Sequence, residues 1–204
     1  MAKKITDYIF LFDLDSTVTK KEILPMIAER IEKQEEMHRL TESAMLGEIP
    51  YKTSFLNRVD ILKDINVSVV NKLVEEIPLN EHIAQFITEN RERCVIVTGN
   101  LDVWISGLMK KLGIENHVCC SEARVVDNKI AGVINVIDKE IVARQFNRPF
   151  VVIGDGDNDS GMAKQADIAI GFGGIRKIAP SLIRNIDFAF YDDYRCAEFL
   201  KSLL

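Results

Sequence analysis

The segment "FDLDSTVTKKE", residues 12–22, closes the apolar run "YIFLF" with two acids, Asp13 and Asp15. Side chains two apart in a strand point the same way, so both carboxylates leave one face at the end of a buried strand. Paired carboxylates repel unless a cation or a proton sits between them. A second acidic group stands in "VVIGDGDNDSGMAK", residues 151–164, where Asp155, Asp157 and Asp159 follow another apolar run. A calcium loop counted from Asp155 needs Gly at its sixth position and Glu at its twelfth. Ser160 and Ala166 stand there instead, so that reading fails. Capping of the next helix by Asn158 or Asp159 is ordinary turn chemistry, but it leaves the other acids unexplained.

Between these acidic ends lies "CVIVTGN", residues 94–100, an apolar run ending in a hydroxyl and a glycine. Alone it is a common strand-to-helix turn. Lys139 alone is a lysine early in a helical segment, and such lysines are mostly solvated. The combination carries more. Three parallel strands are expected to end in D-x-D, T-G and G-D-G-x-N-D, with a lysine before the last. Carboxylates grouped this way call for a hard divalent cation, and Mg²⁺ typically uses one or two of them plus substrate phosphate. A hydroxyl, the Gly99 N–H and a lysine are suited to phosphate oxygens. The chemistry indicated is phosphoryl transfer.

The elements that must place these groups follow from the pattern. Strand-like runs occur at Tyr8–Phe12, Cys94–Thr98, His117–Cys120, Phe150–Ile153, Ile168–Ile170 and Phe188–Tyr191. Helical patterns at about 80–90, 101–111, 138–146 and 159–165 separate several of them. Strands alternating with helices predict βαβ units and a Rossmann-like parallel sheet. "ARVVDNKIAGV" interrupts this with a hairpin turning at Asp127-Asn128. Residues 17–76 contain no convincing strand, and helical periodicity runs through "EILPMIAERIEKQEEMHRL", "YKTSFLNRVDILKDI" and "SVVNKLVEEI". The expected organisation is an α/β core, 1–16 and 77–204, with a small helical cap, 17–76, over the carboxyl edge of the sheet. That edge is where open α/β sheets bind ligands.

Composition narrows the class. The chain has 204 residues, 47% apolar and 28% charged, which fits a globular protein rather than a disordered one. A net charge of −5 gives no general case for nucleic acid or a membrane surface as partner. No stretch is long and apolar enough to span a bilayer, and "MAKKITDY" lacks the apolar core of a signal peptide. Four cysteines, Cys94, Cys119, Cys120 and Cys196, fit no zinc spacing, and Cys94 and Cys119 read as small core residues. Together these point to a reducing, cytoplasmic setting. Nothing here specifies an oligomeric state.

The order D-x-D-S-T, T-G, K, G-D-G-x-N-D resembles the haloacid dehalogenase superfamily of phosphohydrolases over nearly the whole chain. Within it the chain looks most like the phosphoserine phosphatases. "FDLDSTVTKKE" matches their first motif through its glutamate, "SFLNRVDILKD" resembles their arginine-bearing cap helix, and "KLGIENHVCCSEARVVDNKIAG" resembles the segment after their second motif. The resemblance implies Asp13 as the nucleophile that forms an aspartyl-phosphate, and Asp15 as general acid and then base. It implies Mg²⁺ held by Asp13, Asp155 and the backbone carbonyl of Asp15. Thr98, the Gly99 N–H and Lys139 would hold phosphoryl oxygens, Asn158 would contact substrate or phosphate, and Asp159 would order the surroundings of the metal.

Substrate choice is read from Glu22 and Arg58. Thr19-Lys20-Lys21-Glu22 also fits a capping box, which would make Glu22 a helix-closing residue. At about 100° per residue, Arg58 falls between Ile61 and Leu62, close to the arc of Phe55 and Val59. A guanidinium beside an apolar face is costly unless it meets an anion. The resemblance gives Arg58 the substrate carboxylate and Glu22 its ammonium group, with Met45, Tyr51 and Phe55 as candidate pocket residues. The expected substrate is a small phosphomonoester, L-phosphoserine first, with homoserine phosphate or a phosphorylated amino-alcohol as alternatives. A phosphotransferase on the same fold is a further alternative. A signalling receiver domain also uses Asp, Mg²⁺, Thr and Lys, but it lacks D-x-D on its first strand and a helical insertion. Four features depart from the family pattern: Thr98 where that family often has serine, which keeps the hydroxyl, Asn100 in place of a second glycine, a short segment from Lys139 to Asp155, and "IGFGGIRK" after the strand at Ile168–Ile170. The glycines of that last stretch read as a turn.

Overall fold

The computed structural model describes residues 7–204. Seven strands form one sheet: β1 (Ile9–Phe12), β2 (Cys94–Leu101), β3 (Val118–Val126), β4 (Lys129–Asn135), β5 (Phe150–Gly154), β6 (Ile168–Phe172) and β7 (Phe188–Phe190). Their order is β4-β3-β2-β1-β5-β6-β7, all parallel except the β3–β4 hairpin. The first strand is therefore central. It is buried on both faces, which is why "IFLF" is a continuous apolar run rather than an alternating one. Phe10 and Phe12 enter one face, where Phe10 meets Phe86 edge-on at 5.0 Å between ring centroids. Ile9 and Leu11 enter the other, with Val152 and Leu182. Each fully buried side chain of this size contributes about 1.5–3 kcal/mol.

Among the described residues, ten α-helices flank the sheet. The first four follow β1 as one helical block: α1 (Ile23–Ala28), α2 (Gln34–Met45), α3 (Tyr51–Leu62) and α4 (Val67–Glu75). The rest are α5 (Glu81–Glu89), α6 (Asp102–Leu112), α7 (Lys139–Ala143), α8 (Ser160–Ala163), α9 (Pro180–Ile183) and α10 (Asp193–Lys201). The expected helical block after β1 is thus present, but its first periodic run is not one helix. Glu32 takes a left-handed conformation, φ 55°, and splits "EILPMIAERIEKQEEMHRL" into α1, a short 3-10 turn and α2. The hairpin forms as expected. Asp127 and Asn128 have φ of 49° and 62°, the two positive values that a two-residue turn of type I′ requires. The strand expected at His117–Cys120 runs on through "EARVV" into that hairpin.

Candidate active site

Register brings the three polar strand ends together. Phe12 pairs with Ile96 on β2 and with Ile153 on β5, so Asp13, Val97-Thr98 and Gly154-Asp155 emerge side by side. The Asp13 N–H still bonds to the Ile153 carbonyl, 2.8 Å, which extends the ladder to the nucleophile candidate itself. On the other side, the β2–β3 register shifts between Val97 and Leu101. That irregularity releases Thr98, Gly99 and Asn100 from regular pairing at the sheet edge, as bulges beside active sites commonly do.

Lys139 reaches the cluster from α7. The Asp138 carboxylate caps that helix, accepting from Glu140 N at 2.9 Å and Ile141 N at 3.2 Å. The cap fixes the first turn and turns Lys139 inward. Its Nζ donates to Asp13 Oδ1 and, at 2.6 Å, to Asp159 Oδ1. Burial alone would pull the ammonium down, but Asp13 and Asp159 outweigh it and hold the pKa above the ordinary lysine value. Asp159 in turn accepts from the N–H of Asp155 at 3.0 Å and of Gly156 at 2.9 Å. A Cβ on Gly154 would lie 2.5 Å from Asp159 Oδ2, so this tight loop needs glycine there.

Asp13, Asp155 and Asp159 each offer an oxygen within 4.8 Å of the others, and all three are buried. Asp155 Oδ1 is buried without a hydrogen-bond partner. Burial raises the pKa of Asp155 to about 6, against the opposing pull of Arg176. Burial also raises Asp13 well above the carboxylate range, opposed by Lys139 and reinforced by Asp159, Asp155 and Asp15. An orphaned buried carboxylate oxygen among three clustered acids is the donor set of a hard divalent cation.

Asp15 is held differently. Its Oδ1 accepts from Ile23 N at 2.7 Å and its Oδ2 from Asn100 Nδ2 at 2.5 Å. Burial raises its pKa first, and Glu22 adds to this, while the Ile23 N–H, Asn100 and Arg176 oppose it. Asn100 also donates from its N–H and its Nδ2 to Thr98 Oγ1, both at 3.2 Å. Thr98 is buried, with its hydroxyl oxygen accepting those two bonds, and Gly99 and Asn100 form the pocket wall. The pocket encloses about 570 Å³ of empty space, part of it open to solvent. Asp13, Asp15, Glu22, Arg58 and Asn158 line it, with Tyr51 and Phe55 stacked 6.0 Å apart on the helical side. The Met45 side chain lies outside the described residues. Gly99 is where a Cβ would collide with the Tyr51 hydroxyl, so its glycine admits that ring. Burial pushes the Tyr51 phenol up to about 12, which keeps it neutral.

Arg58 is 7% exposed and lines the pocket from α3. It donates to two neutral acceptors, Ser54 O at 3.4 Å and Thr41 Oγ1 at 3.1 Å. Among the described residues no carboxylate pairs with it. Glu22 does not form the capping box: Thr19 Oγ1 donates within its own turn, to Leu14 O and Lys21 O, and α1 has no side-chain cap. Glu22 instead pairs with Arg176, which also pairs with Asp155. Neither Arg176 nor Asn100 was among the residues expected at the site. The departures "TGN" and "GFGGIRK" were the only signals for them in the sequence.

A family profile for haloacid dehalogenase-like hydrolases matches residues 10–164. The chain belongs to that family. Its relatives there include phosphoserine phosphatases, and the chain is a phosphoserine phosphatase-like phosphomonoesterase in sequence and fold. It is 28% identical over 179 residues to the phosphoserine phosphatase of Methanocaldococcus jannaschii, covering 80% of this chain and 84% of that one. It is equally similar to the Archaeoglobus fulgidus phosphoserine phosphatase, but spans only 52% of that longer protein. Among solved structures, a phospho-aspartyl intermediate analogue of phosphoserine phosphatase superposes with a TM-score of 0.80 at 28% identity, covering 98% of this chain and 99% of the other. A substrate-bound phosphoserine phosphatase superposes with a TM-score of 0.76 over the same shares.

Proposed function

We propose that the chain hydrolyses O-phospho-L-serine to serine and phosphate through an aspartyl-phosphate at Asp13. The observation that carries this is one pocket with two ends. Asp13 and Asp15 lie at its floor, and an uncompensated buried guanidinium, Arg58, lies on its helical wall. A phosphate at the floor and a carboxylate at Arg58 satisfy both.

The steps follow from the groups present. Lys139 engages Oδ1 of Asp13, so the other carboxylate oxygen attacks phosphorus. Asp15, whose pKa is raised by burial, gives its proton to the leaving serine oxygen. The same carboxylate then takes a proton from the water that cleaves the aspartyl-phosphate. Gly99 N–H and Lys139 offset charge on the phosphoryl oxygens, with Thr98 behind them through Asn100. Asn158 contacts the phosphate end. Mg²⁺ held by Asp13, Asp155 and the Asp15 carbonyl, with Asp159 ordering its surroundings, would reduce the repulsion between carboxylate and phosphate. Residues 17–76 act as the cap that excludes water. Homoserine phosphate and phosphorylated amino-alcohols are the alternative substrates, and the setting is cytoplasmic.

The test is phosphate release from phosphoserine with Mg²⁺. Asp13→Asn is expected to abolish turnover with the fold intact, because an amide cannot form the acyl-phosphate. Wild-type turnover by that variant, in a preparation free of other phosphatases, would remove Asp13 from the mechanism.

A further inference from the structure

Glu22 is not a free carboxylate on the pocket wall. Arg176, from the loop after β6, pairs through Nη1 with Glu22 Oε1 and through Nε with Asp155 Oδ2. The two side chains are 24% and 19% exposed, so solvent screens the Arg176–Glu22 pair only in part. Arg58 lines the same pocket with neutral acceptors alone. The pocket lining therefore holds two guanidiniums, Arg58 and Arg176; Glu22 is already paired, and Asp13, Asp15 and Asp157 are its other carboxylates.

This changes what the pocket selects. A substrate ammonium placed at Glu22 is attracted by the carboxylate and repelled by the adjacent guanidinium. At contact distances those two effects are comparable in size and opposite in sign. A substrate carboxylate is attracted by both arginines. An unpaired glutamate would discriminate strongly for an amine; this one is largely neutralised.

We propose that Arg176 is a specificity-determining residue: by neutralising Glu22 it removes the need for an ammonium group. The pocket then accepts short phosphorylated hydroxy acids, which carry a carboxylate and no amine, alongside phosphoserine. This rests on the phosphoserine reading above and refines its substrate class.

The test compares kcat/KM for phosphoserine and for its deamino counterpart, 3-phosphooxypropanoate, using Mg²⁺-loaded enzyme at one pH and ionic strength. Wild type is expected to use the two within about threefold of each other, since the opposing charges nearly cancel. Arg176→Ala should raise the preference for phosphoserine by about tenfold or more, because Glu22 is then unpaired. Arg176→Lys, which keeps the positive charge, should stay near the wild-type ratio. Both substrates share Asp13, Asp15 and the cation site, so damage passed on through Asp155 cancels in the ratio. A wild-type preference for phosphoserine above about a hundredfold overturns the proposal without any variant, since that much discrimination needs a free carboxylate. An Arg176→Ala ratio equal to wild type also overturns it, and leaves the phosphoserine reading standing. Cleavage of an aryl phosphate but of neither carboxylate-bearing ester removes the phosphoserine reading, and the specificity proposal with it.

Discussion

Lys139 is 3% exposed and has two carboxylate partners, Asp13 and Asp159, themselves buried. Its charge has a structural role as well as a chemical one. Removing one partner of a buried ion pair typically costs about 3–5 kcal/mol, because the remaining charges stay desolvated and unpaired. Losing one preorganised electrostatic donor from a transition state typically costs about 100-fold or more in rate. Lys139→Ala should therefore show both effects: a lower unfolding midpoint and a kcat reduced by about two orders of magnitude. The unfolding measurement is made without divalent cation, since a bound cation would replace part of the lost charge. A variant with near-wild-type kcat would place the phosphate-directed charge elsewhere.

At the scale of elements, two asparagines help tie the helical block to the core. Asn71 on α4 donates to Val103 O at 3.0 Å and Ser106 Oγ at 2.7 Å on α6, and Gly107 leaves room for that approach. The second tie is the hairpin tip. No side chain within α4 caps its N-terminus. Instead Asn128 Oδ1 accepts from Ser68 N at 3.1 Å, Asn128 Nδ2 donates to Ser68 Oγ at 2.8 Å, and the Asn128 carbonyl accepts from Val67 N at 2.7 Å. The hairpin thus caps a helix distant in sequence. Asn128→Gly keeps the positive φ and the carbonyl but removes the side-chain cap. It should lower stability by about 1 kcal/mol, the usual worth of such a cap. In urea titration this would appear as a lower midpoint at unchanged slope. An unchanged midpoint would show that the cap does not stabilise α4.

For the molecule as a whole, the clustered acids set a dependence on pH. Asp155 has its folded pKa raised by burial from 3.8 to about 6. Protons are then bound more tightly in the folded chain, so the stability linked to Asp155 is fully present below 3.8 and lost as pH rises through about 6. Asp13 shifts in the same direction, again chiefly through burial. The cation-free protein should therefore lose stability between pH ~4 and ~7 relative to Asp155→Asn, in which that group no longer titrates. Mg²⁺ should raise Tm near neutrality and have little effect at pH ~4, where the carboxylates hold protons instead. Calorimetry of both proteins at the two pH values checks this. An equal Mg²⁺ shift at both would argue against these carboxylates as its ligands.

The sequence by itself determined the parts of this protein that rest on short-range order. "IFLF", "CVIVT" and "FVVI" read as strands because each is a short apolar run bounded by turn residues, and Asp13, Asp15, Gly99 and Asp155 stand where those runs stop. Asp127-Asn128 was legible because few residue pairs accept two positive φ angles. Helical periodicity marked the block after β1, though not its break at Glu32. Tertiary structure decided the rest. The extension of β2 to Leu101 and its register shift place Asn100 against Asp15, across 85 positions of chain. α9 and α10 are short or weakly patterned, and they take shape by packing, α9 through Leu182 on one face of the sheet and α10 through Cys196 and Leu200 on the other. Arg176 meets Asp155 at a separation of 21 residues and Glu22 at a separation of 154. Such pairings arise only when strand order brings the ends of β1, β5 and β6 to one edge. Composition and periodicity carry no record of which distant charges will face each other there.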